Sequence, residues 1–141
     1  ESADLMMKLY ELRREPTMRK ARDWFATFHP QSADDIVAAM QGEHSAYFRM
    51  VVSYWDMAAS FVNNSAIDEK MFNDGNGEQI FVFARLEPFL ADYRAKIGHP
   101  QFLAQTEELM MRMPNAKARL EGMRERIRAM AKASAPPSRE A

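Results

Sequence analysis

Residues 46–62 read AYFRMVVSYWDMAASFV, and almost every position in the stretch is apolar. The exceptions, Arg49, Ser53, Asp56 and Ser60, step by four, three and four, which lines them up along one narrow face of an α-helix. The remaining faces carry Phe48, Val51, Val52, Trp55, Ala58 and Val62 among others. A helix that is apolar nearly all round is normally wrapped by neighbours. The pattern therefore predicts an all-α fold: a single-domain helical bundle of about five to seven helices around a central helix over residues of about 43–64. The polar stripe of that helix should face solvent or a seam between helices.

The flanking segments share the helical period. Leu5, Met6, Leu9 and Leu12 mark a first amphipathic helix that ends at Pro16. Proline is favourable in a first helical turn, so a second helix starts there and runs through Met18, Ala21, Phe25 and Phe28. Ser32 with Asp35 resembles a capping box, and a short helix through Ile36 and Met40 follows, ended by Gly42. Asn63 and Asn64 suit a left-handed end to the central helix. Asp68 starts a brief helix to Phe72, and residues 73–77, NDGNG, form the clearest loop. Val82, Leu86, Leu90, Tyr93 and Ile97 trace a long helix in which Pro88 should cause a kink. A helix from Pro100 to Arg112 and another opened by Pro114 complete the bundle, which occupies residues 1–133. The end, SAPPSREA at 134–141, lacks apolar residues able to pack and is expected to be disordered.

The composition narrows function mainly by exclusion. Lys and Arg total 19 against 20 Asp and Glu, so no global charge draws the chain to nucleic acid or to an anionic membrane. There is no cysteine, which removes disulfides and thiolate metal sites. The 12 methionines sit mostly at helical apolar positions, where flexible thioethers fill gaps in cores and line adaptable surfaces. No stretch reaches the roughly 20 apolar residues of a membrane span, and Arg49 and Asp56 make the central helix a poor candidate for one.

The residues from Val51 to Arg94 resemble a bacterial all-helical family classed as a domain of unknown function. The resemblance lies in YWDMAASFV, then AIDEKMF, then a glycine-containing turn, then LEPFLADYR. It places Asp56 at the acidic position of an aromatic-to-alanine helix, and Ile67, Asp68 and Glu69 at an Ile-Asp-Glu corner. It implies an all-helical fold, often preceded by an N-terminal membrane-spanning helix, and it brings no activity with it. A cytoplasmic, membrane-tethered setting is the corresponding expectation, with any membrane contact made through a segment upstream of this chain.

Asp56 is the strongest single candidate for a functional residue, because a carboxylate in so apolar a helix needs a partner such as Arg49, Arg85 or Arg94. If it lies buried beside an arginine, Asp56→Ala should cost roughly 3–5 kcal/mol. On a solvated stripe the same change should stay within about 0.5 kcal/mol. Arg49, Tyr54 and Trp55 join it as candidate ligand-binding residues, since aromatic and methionine side chains around the helix could frame a pocket. No catalytic residue, metal ligand or cofactor site is expected: the three histidines are isolated, no HExxH or GxSxG is present, and NDGNGE lacks the order of a calcium loop.

In the last helix Ala116, Leu120, Met123, Ile127 and Met130 form a coiled-coil-like seam beside six Lys and Arg between residues 117 and 132. That pattern suits a homo-oligomer or a protein partner better than nucleic acid, for which interleaved aromatic residues are missing. The sequence thus predicts a non-enzymatic helical interaction or scaffold domain. The alternative is a small-molecule binding module with an apolar Met/aromatic pocket.

Overall fold

The computed structural model describes residues 1–134, and they form one all-α bundle with no strand. Helices α1 (Ser2–Arg14), α2 (Pro16–Thr27) and α3 (Ala33–Gln41) lead to the central helix α4 (Ser45–Asn63). After it come α5 (Glu69–Gly75), α6 (Glu78–Leu86), α7 (Leu90–Ile97), α8 (Ala104–Met111) and α9 (Ala116–Ser134). α4 packs against α2, α3 and α8, and α9 packs against α6. The tail expected from residue 134 onward lies, beyond Ser134 at the end of α9, outside the described residues.

Local chemistry accounts for most of the boundaries. Glu15 accepts from Met18 N at 2.8 Å and Pro16 fills the first turn, so the chain turns from α1 into α2 without a loop. Ser32 Oγ accepts from Asp35 N at 3.2 Å, while the Asp35 carboxylate reaches past the cap to Gln31 N at 2.8 Å. Asp68 caps α5 by accepting from Met71 N at 2.9 Å. Pro88 divides the long helix as expected, with a 3-10 turn over Glu87–Phe89 between α6 and α7.

Three boundaries differ from the sequence expectation. α5 continues through Asn73, Asp74 and Gly75, where a loop was expected, because Lys70 pairs with Asp74 at 2.8 Å and the Asn76 amide donates to Phe72 O at 3.1 Å. The left-handed residue after α4 is Ser65 (φ 63°) rather than either asparagine. Residues 100–103 form turns instead of opening a helix, and α8 begins only after Leu103, which is itself left-handed at φ 57°.

The core is built on α4. Phe48, Val51, Trp55, Ala58, Ala59 and Val62 are buried in it, and the two alanines let neighbours approach closely. Phe25 from α2, Phe72 from α5, Phe83 and Leu86 from α6, Tyr93 from α7 and Leu109 from α8 fill the surrounding layer. In α9 the apolar seam closes over α6, with Ala116, Leu120 and Ile127 buried and Met123 half-buried. Met130 falls past the edge of the body and is 54% exposed.

Candidate functional site

The polar stripe of α4 is the one side of that helix that reaches solvent. Arg49 and Ser53 are exposed, and Asp56 and Ser60 are half-buried. Asp56 has none of the arginine partners expected from sequence. Its Oδ1 instead accepts from Thr106 N at 2.8 Å and from Thr106 Oγ1 at 2.8 Å. Thr106 lies in the first turn of α8, whose N-cap position is held by Leu103, a side chain with nothing to offer a free N–H. A carboxylate borrowed from α4 therefore caps α8, in a place where the helix dipole also favours negative charge.

The other two arginines have their own partners. Arg94 donates to Phe102 O at 2.9 Å and pairs with Glu107 at 3.1 Å. Arg85 is only 8% exposed and has no carboxylate within ion-pair distance among the described residues. Its guanidinium donates to Phe25 O at 2.9 Å, to Ala26 O at 3.0 Å and to Phe28 O, closing the C-terminal end of α2. The group also lies over the Phe81 ring, 4.4 Å from its centroid. Burial pulls its pKa down to about 10, which leaves it charged at neutral pH. Arg85 is a buried group that the sequence reading did not single out as a site, although its place inside the apolar run 80–86, IFVFARL, was a signal.

Two apolar grooves flank the exposed stripe. One, of about 270 Å³, is lined by Leu12, Met18, Met50, Tyr54 and Met57 with Glu15 at its edge. The other, of about 350 Å³, holds Met40, Val52, Phe102 and Leu103 together with Arg49 and Asp56. Ser53 lines both and forms the ridge between them. Arg49 and Asp56 thus share one groove, Tyr54 lies in the other, and Trp55 lines neither. Trp55 is a core residue whose ring meets the Arg13 guanidinium at 5.5 Å and the Tyr54 ring edge-on at 4.9 Å.

Tyr54 is tied to the body by its hydroxyl, which donates to Leu9 O at 2.7 Å and fastens α1 to α4. Burial, only partly offset by the Arg13 charge, raises its pKa to about 12. Because the folded value lies above the ordinary value of 10.0, its stabilising contribution is complete below pH 10 and disappears as pH rises toward 12. Alkaline titration followed by tyrosinate absorbance should therefore show Tyr54 ionising late, together with loss of helicity, alongside Tyr93, whose pKa burial also raises. In Tyr54→Phe the late absorbance change should shrink to the part that Tyr93 contributes; a late step of unchanged size would show that Tyr54 has no share in it.

The Ile-Asp-Glu corner is structural. Ile67 is buried, Asp68 caps α5, and Glu69 pairs with Arg112 at 2.7 Å, which also donates to Asn63 Oδ1 at 2.7 Å. Among the described residues no group of three or more His, Asp and Glu side chains is placed to hold a metal ion, and no helix is long and apolar enough to cross a membrane.

Neither the curated proteins nor the solved structures contain a match to the chain. A family described as a domain of unknown function (DUF4760) matches residues 1–113, which takes in α1 to α8, including the α4 ridge and the Asp56–Thr106 cap, and the chain belongs to that family.

Proposed function

We propose that the protein is a non-enzymatic helical interaction module that pairs with a second copy of itself through the outward side of α4. The observation that carries the reading is the ridge at Ser53 with an apolar groove on each side. Leu12 and Met57 stand at the rim of one groove at 51% and 39% exposure, a surface that water covers at a cost. A small residue between two troughs suits the close crossing of another helix, and across a two-fold axis each ridge faces the other copy's trough.

The charges match the same arrangement. Ser53 lies four residues after Arg49 and three before Asp56, so an antiparallel crossing centred on Ser53 sets the Arg49 end of one copy against the Asp56 end of the other. Asp56 Oδ1 is engaged with Thr106, and the remaining carboxylate oxygen is the one that would meet Arg49 of the second copy.

Sedimentation velocity over a dilution series tests the reading. A concentration-dependent dimer is expected, and Ser53→Arg should leave helicity intact and the chain monomeric. A wild type that stays monomeric at high concentration would overturn the proposal. A dimer unaffected by Ser53→Arg but lost in Met130→Glu would move the interface to α9, the surface that the sequence pattern favours. The alternative of a small-ligand site anchored by Asp56 or Arg49 has the 350 Å³ groove in its favour, but that groove is an open cleft rather than an enclosed pocket. The family resemblance supports holding such a module at a membrane by a preceding spanning segment.

A further inference from the structure

Away from α4, the outer half of α9 bridges a second pair of clefts. One, of about 540 Å³, lies between α9, α6 and the end of α2, with Phe81, Ile127, Met130 and Ala131 forming apolar walls. The other, of about 250 Å³, contains Arg124, Arg128, Pro88 and Phe89. His29, Arg85 and Ile127 line both, so the two adjoin along one shared wall. The larger volume falls within the roughly 300–1,000 Å³ typical of small-ligand sites.

The charge of this region is unbalanced. Three guanidinium groups, those of Arg85, Arg124 and Arg128, meet two carboxylates: Glu121 pairs with Arg124 at 3.2 Å and Arg128 at 3.1 Å, and Glu87 lies 3.8 Å from Arg124. Among the described residues Arg85 is matched by carbonyl dipoles and no carboxylate, and its Nε is buried with no hydrogen-bond partner there. His29 adds a ring nitrogen donor rather than a charge, since partial burial and then the Arg85 cation hold its pKa below the ordinary value. An apolar cleft adjoining one that carries a net positive charge matches a molecule with a hydrocarbon chain and one anionic end.

We propose that these two adjoining clefts together bind a single-chain anionic amphiphile of the fatty-acid type, its carboxylate in the cleft of Arg85, Arg124 and Arg128 and its chain along Phe81, Ile127 and Met130 of the other. The head group would compete with Glu121 for the two outer arginines. The chain would cover the exposed Met130, whose flexible thioether can close over tails of differing shape. The site is separate from the α4 ridge, so it stands or falls independently of self-pairing.

Calorimetric titration of the whole chain with dodecanoate, kept below its micelle-forming concentration, tests the proposal. Saturable binding is expected, with the tail-matched cation dodecyltrimethylammonium binding more weakly by about tenfold or more. Met130→Glu sets a like charge beside the chain and Arg128→Glu reverses one head-group charge; both side chains are exposed, so the fold should survive. Each should weaken dodecanoate binding by about tenfold. Equal affinity for the two detergents, wild-type affinity in both variants, or no dodecanoate binding would each overturn the proposal. Sedimentation with anionic phospholipid vesicles in the absence of a dodecanoate site would also overturn it, in favour of a membrane-surface contact.

Discussion

Arg85→Met is expected to destabilise the fold by about 2–4 kcal/mol, the larger part from carbonyl groups left without donors. The side chain closes the end of α2 by giving hydrogen bonds to Phe25 O, Ala26 O and Phe28 O. Methionine keeps most of the apolar stem but supplies no donor. Two effects oppose each other here. Each abandoned carbonyl costs about 1 kcal/mol or more, while removal of a buried cation returns part of its desolvation cost. The carbonyls prevail, because several acceptors lose partners at once and the stacking on Phe81 is lost with them.

Arg85→Lys should recover only part of the loss, since one ammonium cannot span three carbonyls in the fork geometry of a guanidinium. Chemical denaturation gives the stability difference, and a proton NMR titration of His29 gives an independent reading. With the Arg85 charge gone, one of the two causes that depress the His29 pKa disappears, so that pKa should rise toward the ordinary value. A denaturation midpoint within error of wild type would show that water readily replaces the arginine and that α2 needs no such closure.

Arg85 also marks the limit of what the sequence conveys. The period of apolar residues reports which face of a helix is buried, and it does so well for α4, where the stripe read from residues 46–62 is the side that meets solvent. Caps and breaks are local, so Ser32, Asp68 and Pro88 could be read directly from their neighbours. Partners are not local. The carbonyls held by Arg85 lie 57 to 60 residues earlier in the chain, and no spacing rule links them to it.

The same limit applies to the candidate site. Asp56 could be recognised as a carboxylate in need of a partner, but charge points to basic residues and not to Thr106, which is 50 residues away and uncharged. Tyr54 and Trp55 are adjacent in sequence, yet on a helix they point about 100° apart, so one reaches a groove and the other the core. In α9 the seam was legible, but not that α6 would consume most of it and leave Met130 outside.

Asp56→Ala is expected to cost about 1.5–3 kcal/mol, between the values for a buried ion pair and for a solvated stripe, because the carboxylate does the work of a helix cap. Its Oδ1 takes both the backbone N–H and the hydroxyl of Thr106 at 2.8 Å, and Thr106 is only 1% exposed. Alanine would strand two buried donors that water cannot easily reach. No arginine is left uncompensated, which is why the loss falls short of the figure for breaking a buried salt bridge. Asp56→Asn keeps an oxygen that can accept from Thr106 but gives up the charge at the N-terminal end of α8, so it should cost about 0.5–1 kcal/mol. Hydrogen exchange localises the effect: in Asp56→Ala the Thr106 amide should lose protection first and the rest of α8 with it, while α2 and α3 keep theirs. If the midpoint and the Thr106 exchange rate both stay at their wild-type values, α8 does not depend on α4 for its cap, and the role of this carboxylate would have to be sought in what binds the groove beside it.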